Sequence, residues 1–465
     1  MVSITSGRDE AAKQPHVVLI FMDDMTHWAL TSERCRTPNL DRLAARGTVF
    51  THAFNQGSQM QPVCLPARQM LLTGMSLFRA SESFLAAQRL GRTLGDAGYR
   101  TFFTGKWHNE EEALAADYDQ VGPWAGAMLH SGEIGGEAYE RPAPGNTWDP
   151  ADTTRGGHWM PTADGGVQHS SERWTDAALG FLDERAAADA HEQSPFFLHI
   201  AYHAPHDPRQ THRRFLDMYD EDEVFVPPNA WPEHPFDNGE LEVRDETLTP
   251  RPRTPEMIRV HRREYLAILS HVDEQIGRIL DRLEEMGVAE DTLVVFSGDH
   301  GLALGEHGLM GKQNPYDHSI RVPLLFAGPG VRSGRRLDEL VYQSSIYATI
   351  AELVGVAAPP GVEMASLADA VAGRPHEERA VVFGAYRHVQ RLVRTKRHKF
   401  VDYPQHGREQ LFDLDADPWE MTNLAADPAC AGLRDDLRAV LQALQMQLED
   451  PLAGAPVSTS RAVAT

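Results

Sequence analysis

Short apolar runs rich in β-branched residues recur along the chain, separated by helical segments, and four of them end abruptly in polar side chains. This pattern constrains the fold more than any other feature. "HVVLIFM" (16–22) runs into Asp23 and Asp24, and "YRTFFTG" (99–105) into Lys106, Trp107 and His108. "PFFLHIAYHAPH" (195–206) closes in a histidine-rich turn, and "TLVVFSG" (292–298) in Asp299 and His300. Short continuous apolar runs of this kind read as buried strands. Between them, "TPNLDRLAARG" (37–47) predicts a helix with Thr37 as N-cap, Pro38 in the first turn and Gly47 just past the end. "TVFTHAF" reads as a further strand, and "PARQMLLTG" as a short helix starting just after Cys64. In "EYLAILSHVDEQIGRILDRLEEMG" (264–287), Leu266, Leu269, Val272, Ile276, Ile279 and Leu283 share one helical face.

Strands alternating with helices predict an α/β fold: a large mixed, mostly parallel sheet sandwiched by helices. Ligands of such sheets bind outside the carboxyl ends of the strands, where the four polar clusters fall. Residues 110–166, rich in Gly, Pro and Trp, and 207–263, rich in Pro and acids, are expected to be long loops walling a substrate pocket. Near Gly373 the texture changes. "AVVFGAYRHVQRLVRTKRHKFVDY" and "QLFDLDADPWEMTNLA" predict a small antiparallel sheet, and "LRDDLRAVLQALQMQLED" a closing helix. The expected division is a catalytic domain over 1–372 and a C-terminal subdomain over 373–465, with a frayed tail after Pro451.

With 44 Lys plus Arg against 67 Asp plus Glu, the formal charge of −23 repels nucleic acid and anionic membranes. An anionic substrate would therefore need positive charge placed locally. No apolar run approaches the roughly 20 residues that span a bilayer. The start, "MVSITSGRDEAAKQPH", lacks the apolar stretch of a secretion signal. Three cysteines without close pairing make neither a disulfide framework nor a CxxC zinc site, and a cytoplasmic, reducing location is expected.

Taken singly, the polar residues admit plain readings. Asp23 and Asp24 suit a solvated strand end as well as a cation site, although adjacent carboxylates repel unless a cation shares them. With Asp299 and His300, an oxygen-rich set would select a hard cation, while the imidazole would also suit zinc. Lys106 and His108 straddle Trp107 and would face one side of an extended segment. Lys312, His203 and His206 read equally well as surface or loop residues. Cys64 suits a small buried hydrophobe, or a reactive thiol whose pKa a helix start and Arg68 would lower. Cys35 and Cys430 read as structural, and Glu306 and His307 as supports of their turn.

Together these segments resemble the type I sulfatases of the alkaline-phosphatase superfamily. The likeness runs through "VVLIFMDDM", "TPNLDRLAARG", "CLPAR" with "LLTG", "TGKWH", "HAPHDP", "SGDHGLALGEHGLMGKQNPYDHSIRVPLLFAGPGV" and "LFDLDADPWEMTNLA". It implies that a formylglycine-generating enzyme oxidises Cys64 to formylglycine, whose hydrated aldehyde is a diol. One hydroxyl attacks sulfur and the other expels sulfate, splitting one hard step into two. It further implies a Ca2+ ion, or Mg2+, bound by Asp23, Asp24, Asp299, His300 and modified Cys64. Arg68 would stabilise the ionised diol, Lys106 and Lys312 would bind sulfate oxygens, and His108 would take the proton that drives elimination. His206, in the Pro-His position of "HAPHDP", would assist the leaving oxygen, and His203 does not match that position.

The departures are Met75 where a basic residue often follows "LTG", and His300 where many members have asparagine. A later helix has Ser345, Ala348 and Thr349 in place of the usual Asp and Pro-Thr. The expected activity is hydrolysis of a small anionic sulfate ester, with no nucleic-acid or membrane partner. The rival is a phosphonate monoester or phosphodiester hydrolase using the same modified residue.

Overall fold

A computed structural model describes residues 14–30, 32–129, 136–188 and 194–454. Residues 1–13 and 455–465, which hold most of the polar start and of the tail, lie outside the described residues. The main sheet has eight strands in the spatial order 335–342, 47–54, 321–327, 292–298, 16–22, 196–202, 100–106 and 120–125. His16–Met22 lies at its centre, parallel to Phe196–Tyr202 on one side and Thr292–Gly298 on the other. Only Arg321–Ala327 runs antiparallel, to both its neighbours, so the sheet is mixed and mostly parallel.

All seven residues of the central strand are buried, because helices cover both faces of the sheet. One face packs on helix Ser170–Ala187 and on helix Pro255–Glu285, whose Leu266, Leu269, Val272, Ile276 and Ile279 enter that core. The opposite face packs against Leu71, Leu72, Leu90, Leu94, Ile346 and Ile350 from shorter helices.

The second sheet joins Val382–Tyr386, Gln390–Arg394, His398–Tyr403 and Arg408–Asp413 antiparallel, and helix Ala431–Gln447 packs on it. Its fifth strand, Gly57–Ser58, comes from far back in the chain and pairs parallel with Val382–Tyr386.

Several expected boundaries shift. Helix Pro255–Glu285 starts nine residues before the expected Glu264, because Thr254 caps it through Met257 N at 3.3 Å and Pro255 opens its first turn. The segment taken as the end of a loop is thus its first two turns. Gln120–Ala125, inside the other expected loop, is an edge strand of the main sheet; most of its residues are exposed, so it carries no apolar signal. Gly47 opens a strand instead of ending a helix, and Thr37 makes no side-chain cap. Asp273 caps that helix from the long helix instead, accepting Leu40 N at 2.7 Å and Asn39 N at 3.0 Å.

Candidate active site

The carboxyl ends of two adjacent strands deliver the centre of the site. His16–Met22 ends at Asp23 and Asp24, and Thr292–Gly298 at Asp299 and His300. The two ends are laced together: Asp299 N donates to Met22 O at 3.0 Å, and Asp24 N to Asp299 Oδ1 at 3.1 Å. Asp24 has φ 65°, a left-handed conformation unfavourable for a side chain that bears Cβ. Tyr265 of the long helix holds that turn, donating its hydroxyl to Asp24 O and accepting Thr26 N, both at 2.8 Å.

Arg100–Lys106 brings Lys106, completely buried, to bond Asp23 Oδ2. Its approach requires Gly105, at φ +109°, where a Cβ would lie 1.9 Å from Ala201 O. Helix Cys64–Thr73 presents its first residue, Cys64, with the positive end of its dipole. One turn on, Arg68 donates to Lys106 O at 2.9 Å and stands 3.5 Å from Asp299 Oδ2. Lys312, in the glycine-rich turn, donates to Asp24 Oδ1 at 2.7 Å. Burial lowers the His108 pKa, and the neighbouring Cys64 side chain opposes that shift.

His206 packs beside the same cluster. Its Nδ1 lies 3.3 Å from Asp207 Oδ1, and donor atoms of Asp24, His206 and Asp207 fall within 4.8 Å of one another. Every sequence-predicted site residue therefore lies in one cluster, buried except for the half-buried His108, although its members span nearly 300 residues of chain. His203 stays out of it: its Nε2 is 3.1 Å from Gly126 O, and its ring rests against Trp174. Glu306 and His307 brace their turn, Glu306 accepting from Arg262 at 3.0 Å and His307 stacking on Tyr316 at 3.7 Å.

The electrostatics fit a cation. Asp23, Cys64, Asp299 and His300 each place a donor atom within 4.8 Å of the others. Asp23 Oδ1 and His300 Nε2 are buried and lack a hydrogen-bond partner. The His300 ring is oriented by Nδ1, 3.1 Å from Gly301 O, and its Nε2 lies 3.5 Å from Asp299 Oδ1. Burial and the neighbouring Asp23 push the Asp299 carboxyl up to about 8. Burial opposes ionisation of Asp23 too, but Lys106 and the nearby His206 and Arg68 hold it well below the usual carboxylate range. Two carboxylates that cannot both ionise comfortably are what a divalent ion relieves. Asp24 adjoins this set of four without belonging to it, its Oδ1 being engaged by Lys312.

Position 64 sits in strong positive potential. Burial would raise the Cys64 thiol, yet Lys106 and Lys312 pull it well below its usual value. Both lysines stay charged: burial disfavours this, but Asp23 raises Lys106 and Asp24 raises Lys312. The acidic chain thus concentrates cationic groups at one buried point, suited to a tetrahedral oxyanion.

Sequence reasoning missed some supports. Asn55 donates to Asp299 O at 3.0 Å, and it directly follows an apolar strand, the same signal that marks the four clusters. Arg244 pairs with Asp207 beside His206, at 3.2 Å for Nη1, and nothing in the surrounding sequence marks it.

A helix-covered, mostly parallel sheet with a charged cluster at its strand ends places the ligand site there. Residues 15–356 match the family model described as sulfatase, and 305–447 the one described as N-sulphoglucosamine sulphohydrolase, C-terminal. An arylsulfatase of Clostridium perfringens is 26% identical over 92% of this chain and 94% of its own. A choline-sulfatase of Rhizobium meliloti is 28% identical over 89% of this chain and 83% of its own. Among solved structures, one in complex with its substrate D-glucosamine-2-N,6-O-disulfate superposes with TM-score 0.73 at 22% identity, covering 95% of this chain and 99% of that one. The phosphonate monoester hydrolase of Silicibacter pomeroyi gives TM-score 0.73 at 20% identity, covering 96% of each chain. The chain belongs to the sulfatase family and is a sulfuric ester hydrolase. Among the described residues, no helix is long and apolar enough to cross a membrane.

Proposed function

We propose that the enzyme cleaves a small anionic sulfate ester at the cluster around position 64, after Cys64 has been converted to formylglycine. The observation that carries this reading is the thiol position itself: buried, cationic in its surroundings, and flanked by orphaned metal-type donors. The modified residue supplies a hydroxyl nucleophile and a bound Ca2+ or Mg2+ ion supplies Lewis acidity to a sulfate oxygen. Asp23, Asp299 and His300 would hold that ion with residue 64, and Asp24 would join them from its adjoining position.

The remaining work falls to this chain's own side chains. Lys106 and Lys312 bind sulfate oxygens, giving up part of their contact with Asp23 and Asp24 to do so. Arg68 keeps residue 64 in its reactive ionised state. His108, which lies near that position, takes its proton, and His206 donates one to the departing alcohol. The described parts of 110–166 and the segment 207–254 wall the pocket, and the catalytic unit is taken as 1–372, with 373–465 as a C-terminal subdomain. Three unpaired cysteines favour a reducing, cytoplasmic compartment.

Mass spectrometry of the Cys64 peptide from protein made beside a formylglycine-generating enzyme is expected to show oxygen in place of sulfur. A free thiol in fully active enzyme would sink the mechanism. Paired aryl sulfate and aryl phosphonate substrates test the chemistry: sulfate should be turned over faster, and dominant phosphonate turnover would favour the rival reading.

A further inference from the structure

A second cluster of metal-type donors shares no residue with the catalytic one. Glu172 lies in the first turn of helix Ser170–Ala187, His271 lies in the middle of Pro255–Glu285, and His212 precedes Arg213–Leu216. Their donor atoms fall within 4.8 Å of one another. His212 Nε2 is 2.7 Å from Glu172 Oε1, and His271 Nε2 is 3.3 Å from the same oxygen.

The third donor is the telling one. The His271 side chain has no exposed surface, and its Nε2 makes no aligned hydrogen bond although it points into the cluster. A buried ring nitrogen left in that state is costly unless something else occupies its lone-pair direction. The outer contacts resemble those that orient metal ligands. His271 Nδ1 is held 3.1 Å from Thr211 Oγ1, and Glu172 Oε2 accepts His169 N at 3.3 Å, so Oε1 is left to face the imidazoles. Phe215 stacks on His271 with centroids 4.7 Å apart, and Trp159 meets His212 edge-on at 4.9 Å.

We propose that Glu172, His212 and His271 form a transition-metal site of the zinc class, with its open coordination side toward solvent. Two imidazoles among only three donors suit zinc or cobalt, whereas a hard cation such as calcium favours a set dominated by oxygen. Solvent reaches the site past His212 and Glu172, whose side chains are 38% and 23% exposed. The ion would staple two helices to the segment that carries His206. Gln210 O in that segment already faces His169 Nε2 at 2.9 Å, and His206 O faces His158 Nε2 at 3.0 Å. Its role is to fix a loop, and it takes no part in the sulfate chemistry.

The test is a cobalt(II) titration of calcium-saturated full-length protein, followed by visible d–d absorption. The arms are the parent, His212→Gln, Glu172→Gln, and Asp299→Asn, which removes a donor from the catalytic set alone. Saturable absorption is expected in the parent and in Asp299→Asn. Binding should weaken beyond the ~10–100-fold that outer partners carry in His212→Gln and Glu172→Gln. His212 is partly exposed, so its variant is expected to fold, and circular dichroism checks that it does. Zinc should raise the Tm of Asp299→Asn and leave that of the Asp299→Asn/His212→Gln double variant unchanged. Equal titrations in the parent and His212→Gln would overturn the proposal, leaving a metal-free His–Glu hydrogen-bonded triad. The readout is metal binding, so its failure is distinct from a failure of the sulfatase chemistry.

Discussion

Lys106 illustrates how one residue serves both stability and chemistry. Its ammonium is fully buried on Asp23, which keeps it charged and fixes it at the proposed sulfate-binding position. Lys106→Ala is expected to lower kcat on an aryl sulfate by about 10²–10³, the range seen when one preorganised charge donor is removed. Wild-type turnover in that variant would take Lys106 out of the site. The carboxylates beside it predict a second outcome. Removing the proposed divalent ion with a chelator should lower Tm as well as activity, since Asp299 and Asp23 are then left with only Lys106, Arg68 and their neighbours to offset their mutual repulsion. Recovery on adding Ca2+ or Mg2+ reports which ion the donors prefer. Cys64 was legible as a special position because its neighbours spell a motif. Its depressed thiol was not, because the responsible lysines lie 42 and 248 positions away in sequence and meet it only after folding.

At the scale of elements, helix Cys64–Thr73 raises a question of access. Cys64 and Arg68 are 4% and 3% exposed, so an enzyme that reads this segment must reach it before the helix packs. Folded thiol-form protein should resist conversion by a formylglycine-generating enzyme, while a synthetic peptide of the same stretch is converted. Equal conversion of both would show that the helix opens readily. Asp273 governs another element. It caps helix Pro38–Ala45 from outside the local sequence, and Asp273→Ala should destabilise the protein by about 1–2 kcal/mol, read as a lower Tm. Local sequence pointed to Thr37 as the cap. A capping carboxylate from a residue more than 230 positions away leaves no local signature.

The whole molecule depends on how the small sheet docks beside the large one. Lys399, without exposed surface, bonds Asp317 and Glu420, both at 2.6 Å, and Arg394 reaches Asp317 at 3.2 Å. Asp317 follows Lys312 by five residues, so this buried knot steadies the turn that enters the site. Lys399→Met would leave two buried carboxylates short of a partner and is expected to cost about 3–5 kcal/mol. Adding Glu420→Gln should return part of that loss in thermal denaturation. Acid sensitivity follows from buried histidines. Burial holds His234 down to about 4 and His199, also near Arg68, to about 3. Their folded values lie below the unfolded value near 6.5, so the unfolded chain binds protons first as pH falls. Stability is therefore full above about 6.5 and declines toward 4, by about 1.4 kcal/mol per pH unit for each such group. A Tm that stays flat across that window would contradict neutral burial of these rings.

The sequence alone determined five of the main sheet's six interior strands, several of the helices that cover them and the list of side chains at the strand ends, but not the antiparallel strand Arg321–Ala327. Those features rest on local apolar periodicity and on residue types that recur at strand termini. Tertiary structure decided which of those side chains meet, which carboxylate yields its charge, and where Asp273, Asn55, Arg244 and Gly57–Ser58 act. It also brought Glu172, His212 and His271 together, three residues that no spacing connects. The physical reason is the same in each case. Burial and Coulomb interaction depend on distance in space, and a residue's distant neighbours leave no periodicity in the chain around it.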